Sequence, residues 1–210
     1  MSDPSRRIRR AAAVALSLTL AACGNFTPGG FSRVSVGVSG DAEDPAPVSG
    51  TSAMTAAGAP AAADGDGAPE GELRAEFDLF LVSQDDRVTQ LNQDIVRVRV
   101  DLRGREEIEA VERLVEAGTY TELRIVFRAI RAEVDSGLVI DGVPVIGEVR
   151  VELEDLGLEV SRPLGLTLAE GDRADLLVDL NAAAWLQAVD PSTRLVDPSV
   201  FGTLIDVVVR

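Results

Sequence analysis

From Glu72 onward, apolar residues recur at every second position. Leu73, Ala75, Phe77, Leu79 and Leu81 form the first such run, as one buried face of a strand requires. A cleaner alternation follows, with Val96, Val98, Val100 and Leu102 on one side and Arg97, Arg99, Asp101 and Arg103 on the other. Further strands are predicted at Leu123-Ile125-Phe127, Val149-Val151-Leu153, Leu164-Leu166-Leu168, Leu176-Val178-Leu180 and Ile205-Val207-Val209. Asp141-Gly142 lies between two short apolar runs, which signals a two-residue hairpin. Pro144 should then sit at a sheet edge or near a strand start.

Two stretches depart from this period. Ile108, Val111, Leu114 and Val115 are spaced for a helix face, with Gly118 as its C-cap. Asn181 to Val189 carries four alanines, Trp185 and Leu186 behind a capping Asn, which predicts a short second helix. Many short strands and few helices over residues 72–210 imply a mainly β domain. The expectation is an antiparallel β-sandwich of about seven or more strands with one or two short helices. That length suffices for one core.

The chain upstream has a different composition. Residues 24–71 are dominated by Ala, Gly, Pro, Ser and Asp, and such a segment buries too little apolar surface to offset its ordering entropy. It reads as a flexible stem with a reach of about 40 Å. Phe31 to Val38 alternates apolar and polar residues inside it, and is assigned to the disordered stem with its flanks. Before the stem, Arg6, Arg7, Arg9 and Arg10 precede the uncharged apolar run Ala11–Ala22. These are the n- and h-regions of a secretory signal, too short for the ~20 residues that span a bilayer. Leu20-Ala21-Ala22-Cys23 resembles the end of a bacterial lipoprotein signal. That resemblance implies cleavage after residue 22, acylation of Cys23, stable anchoring by two or three chains, and a place in the cell envelope. Gly24 after the cysteine implies an outer membrane. Ser5-Arg6-Arg7 leaves twin-arginine export open beside the general route.

Charge narrows the partners. The net charge is −15, and removing residues 1–22, with four arginines and one aspartate, makes it −18. Such a field repels phosphate backbones, so nucleic acid is not an expected partner. Cys23 is the only cysteine, so the acylated chain has no disulfide and the fold rests on its core.

Residues 72–210 also resemble a bacterial and archaeal lipoprotein domain family of unknown function. The resemblance is carried by Glu116-Ala-Gly-Thr-Tyr-Thr-Glu-Leu-Arg-Ile-Val126, by Gly142 after Leu-Val-Ile-Asp, and by Leu176-Leu-Val-Asp-Leu-Asn181. It implies a β-sandwich on a lipid anchor and brings no catalytic residues. An Asp-x-Pro-like start, frequent in that family, is missing near the first strand.

Candidate contact residues each have two readings. Tyr120 would stack on a sugar ring, or pack its ring and tie its hydroxyl to backbone. Trp185 would be a ligand platform, or a large apolar cap over one end of the core. Arg97, Arg99, Arg124 and Arg128 would hold an anion in their planar forks, or form solvated cross-strand pairs with Glu148, Glu152 and Glu154 if the strands are neighbours. The pairs Asp85-Asp86, Glu106-Glu107 and Glu154-Asp155 offer oxygen to calcium but lack a spaced calcium loop. Glu170-Gly171-Asp172 reads as a turn.

Catalytic equipment is sparse. Without histidine the usual triad base and the commonest zinc ligand are missing. Every basic residue is arginine, which excludes Ser-Lys pairs and Schiff bases. The expectation is a non-enzymatic envelope module, with no metal or cofactor, that binds an envelope protein or glycan or serves a structural role. A glycan-binding or carboxylate-based glycan-hydrolysing domain and a calcium-dependent adhesion module are the alternatives.

Overall fold

The computed structural model describes residues 30–40, 69–102 and 107–210. The signal segment, Cys23, residues 41–68, Arg103 and Glu106 lie outside them. In chain order the elements are β1 (Phe31–Ser39), β2 (Glu70–Ser83), β3 (Val88–Gln90), β4 (Val96–Asp101) and β5 (Ile108–Glu116). The long β6 (Gly118–Ser136), β7 (Val139–Ile140), β8 (Val143–Pro144) and β9 (Gly147–Val151) follow. The chain continues through β10 (Leu158–Leu168), β11 (Arg173–Asp179), α1 (Ala182–Leu186), β12 (Leu195–Val196), α2 (Pro198–Leu204) and β13 (Asp206–Val209).

The protein is mainly β. One sheet has the order β13-β11-β1-β5. The larger one runs β12-β9-β6-β2-β3, with β4 also on β2 and β10 also on β6. β6 is long enough to pair with β10 along its first half and β9 along its second. Inward residues of both sheets, including Val34, Val36 and Val178 from the smaller and Leu73, Phe77, Ile125 and Phe127 from the larger, join one buried core. The alternation from Leu73 to Leu81 is buried as its period requires, and so is that of Val96, Val98 and Val100. Asp141 and Gly142 both adopt positive φ between β7 and β8, the backbone that a tight hairpin with the native twist needs. Most pairings are antiparallel, but β1–β11 and β9–β12 are parallel.

Three expectations are corrected. Phe31–Ser39 is not stem: it is an interior strand hydrogen-bonded to β11 on one side and β5 on the other. Val34, Val36 and Val38 are fully buried. The low-complexity flanks hid it, because its nine residues draw their stability from two neighbours far away in sequence. A domain starting at residue 72 therefore omits a strand of the core, and β2 itself begins at Glu70.

The segment 108–115 is a strand, not a helix. Val36 opposes Val111 while Gly37 opposes Glu109, so Ala110 is the extra residue of a bulge. That bulge lets Ile108 and Val111 pack against the same core despite their odd spacing, which mimics a helical period. Leu114, which a helix face would bury, is 59% exposed. Gly118 accordingly opens β6 rather than capping a helix.

The second helix exists, but Asn181 does not cap it with its side chain. Asn181 takes a left-handed backbone, and its Nδ2 donates to the Leu204 carbonyl at the end of α2 at 3.3 Å. α2 itself stands between α1 and the closing strand, where the sequence pattern predicted no element. Asp197 accepts from the Ser199 N–H at 2.7 Å and Pro198 occupies its first turn, a standard start signal. The hydrogen bonds from Ser199 hold the Asp197 carboxyl below its usual pKa range.

Candidate functional site

The outward residues of the larger sheet alternate with its core-facing ones, so each strand contributes a polar edge at every second position. Strand register decides which of these edges meet. Arg74 on β2 lies opposite Arg99 on β4 and Arg131 on β6, and Arg131 lies opposite Arg150 on β9. Four arginines therefore form one row across four strands, Arg99-Arg74-Arg131-Arg150, all exposed. At about 4.8 Å per strand the row spans about 14 Å. Two residues further along the strands, Asp101, Glu72, Glu133 and Glu148 form a parallel row of acids.

Like charges directly opposite one another destabilise a sheet, and the two halves of the row answer this differently. On β2 and β4, Glu72 accepts from Arg74 Nε and lies 3.1 Å from Arg99 Nε. Arg131 and Arg150 form no ion pair among the described residues. Two shallow depressions of about 370 and 210 Å³ adjoin the row and share Arg131 and Ala129. Between them they are lined by six arginines (Arg74, Arg97, Arg99, Arg128, Arg131, Arg150) against Glu76 and Glu148. On an acidic protein this is a concentration of positive charge.

The sequence candidates divide around this face. Arg99 belongs to the row, and Arg97 borders it, 3.4 Å from Glu76 on β2. Arg124 and Arg128 are not their neighbours, because β2 runs between β4 and β6. Arg124 pairs with Glu122 at 3.1 Å and Glu159 at 3.3 Å. Arg128 is the extra residue of a bulge opposite Glu76 and Phe77, and its guanidinium is taken up by Asp78 and the Leu156 carbonyl. Glu148 faces Glu133 rather than an arginine, so the cross-strand pairs expected with it do not form there. Arg74, Arg131 and Arg150 escaped the sequence reading. Their signal was membership of polar strand faces, shared by many residues.

The aromatic candidates are internal. Tyr120 is 3% exposed and its hydroxyl donates to the Glu116 carbonyl at 2.7 Å. Burial and then the Glu116 carboxylate raise its pKa, with Arg87 acting in the opposite sense. It lines a cleft of about 520 Å³ whose rim carries the exposed Phe31, Val88 and Leu114. Trp185 is fully buried, edge-on to Phe201 at 5.7 Å. Phe201 meets Phe127, and Phe127 meets Phe77, in the same manner. Trp185 is thus part of the core rather than a ligand platform, and its Nε1 has no hydrogen-bond partner among the described residues. Among the described residues no three acids gather as a metal site would need.

No protein-family model, curated protein or solved structure matches this chain.

Proposed function

We propose that this chain is a lipid-anchored protein of the cell envelope, held through Cys23, that presents its β-sandwich as a non-enzymatic binding module. The observation that supports a binding role is the arginine row on the outer face of the larger sheet. The row gathers positive charge on an acidic protein at positions where packing places no demand, and half of it has no acidic partner among the described residues. Anchoring is supported by the basic start, the short apolar run and the lipoprotein-like Leu20-Ala-Ala-Cys23, and the resemblance of residues 72–210 to a lipoprotein domain family belongs to the same reading. Cys23→Ser tests the anchor. The variant should move from the membrane fraction to the soluble fraction and lose incorporation of labelled fatty acid. Unchanged membrane association would overturn it.

A further inference from the structure

We infer that the row Arg99-Arg74-Arg131-Arg150 is a docking surface for a linear glycan that carries carboxylate groups, a polyuronate in chemical class. This rests on the binding-module reading above and names its ligand.

The row defines the shape of the ligand first. Four arginines stand opposite one another across the strands, at backbone steps of about 4.8 Å. The acidic row of Asp101, Glu72, Glu133 and Glu148 lies only two residues away along each strand, about 6.8 Å. A second line of negative charge would fall on those acids and be repelled. A flat anionic surface such as a bilayer, or a nucleic-acid duplex with two phosphate strands, is therefore a poor fit. A single chain with one line of anions fits.

The depressions indicate where the body of that chain lies. Both share Ala129, an outward position of β6 whose small side chain leaves room beside Arg131. The larger one lies on the side of the row away from the acids, among Arg97, Glu76 and Ala129.

The mixture of groups selects the chemistry. Arginine forks match carboxylate geometry with two parallel hydrogen bonds. Glu76 and Glu148, in the same depressions, accept hydrogen bonds from hydroxyl groups and repel a polymer whose every polar group is an anion. A ligand with carboxylates on one edge and hydroxyls on the other satisfies both. Recognition by ring stacking is not offered by Tyr120 or Trp185, which are buried, so charge takes its place.

The test is binding of the full chain to immobilised polygalacturonate at low ionic strength, with dextran and polyphosphate as comparators. Retention is expected on polygalacturonate, none on dextran, and weaker retention on polyphosphate. Arg131→Gln with Arg150→Gln, two residues without an ion pair among the described residues, should weaken retention roughly tenfold or more, the effect of losing charge-assisted contacts, at unchanged melting temperature. The paired Lys variants should fall between, because they keep the charge and lose the fork. Ala129→Leu should weaken binding with no change of charge. Arg33→Gln, on the other sheet, should not. Absence of retention by the wild-type chain, an unaffected double variant, or equal binding of polyphosphate would overturn the inference. None of these outcomes depends on Cys23, so a failed anchor and a failed docking surface are told apart.

Discussion

Arg128 Nε and Nη2 both lie 3.1 Å from Oδ2 of Asp78, whose residue is only 7% exposed. The other carboxylate oxygen accepts from Asn92 Nδ2 at 2.9 Å, and Asn92 Oδ1 accepts from the Leu79 N–H at 2.7 Å. The β6 bulge, the outer face of β2 and the segment after β3 are joined by one charged group. The two partners are not equivalent, since the Arg128 side chain is 40% exposed and that of Asp78 only 10%.

That asymmetry sets the first prediction. Arg128→Ala strands a buried carboxylate, and should cost about 2–3 kcal/mol, below the full value for a completely buried pair because water reaches the arginine side. Asp78→Ala leaves Arg128 free to turn toward water, and should cost about 1 kcal/mol less. Urea unfolding of both variants measures the difference. Equal losses would mean that the pair's burial is not what matters.

β1 provides the second. Val36 is fully buried between two strands, so Val36→Ala should destabilise the chain by about 1.5–3 kcal/mol. A chain beginning at residue 72 loses β1 and exposes the facing edges of β5 and β11, and should fail to unfold cooperatively. A stem segment would tolerate both changes without effect.

Tyr120 gives a pH dependence that one chromophore reports, because it is the only tyrosine. Its pKa is raised in the fold, so the neutral phenol is favoured there. The associated stability is fully present below the unfolded value of about 10. It is lost as pH rises through the higher folded value. Absorbance titration should show late ionisation, and Tyr120→Phe should remove this alkaline loss while costing about 1 kcal/mol for the bond to Glu116. Ionisation at the ordinary tyrosine pKa would contradict the buried, hydrogen-bonded placement.

Trp185 combines a large buried surface with an N–H that has no partner among the described residues. Trp185→Ala should cost about 3–5 kcal/mol. Trp185→Phe also leaves a gap, but removes a donor whose burial itself costs about 1–3 kcal/mol, so its net loss should stay below about 2 kcal/mol. Thermal unfolding followed by circular dichroism compares the two. A Phe variant as unstable as the Ala variant would show that the orphan donor carries no penalty.

The sequence by itself determined which residues of β2, β4 and β11, of β6 before its bulge and of the last part of β10 face the core. A two-residue period between polar and apolar positions reports burial on one side, wherever the partner strand comes from. It also determined the Asp141-Gly142 hairpin, where two adjacent positive φ angles restrict the residues that fit. Tertiary structure decided the rest. β1 is a strand only because β5 and β11 flank it, and a bulge at Ala110 turns an apparent helical spacing into one strand face. The candidate site is of the same kind. Alternation marks Arg74, Arg99, Arg131 and Arg150 as outward-facing one at a time, but only the register of four strands, fixed by the core beneath them, sets them in a line.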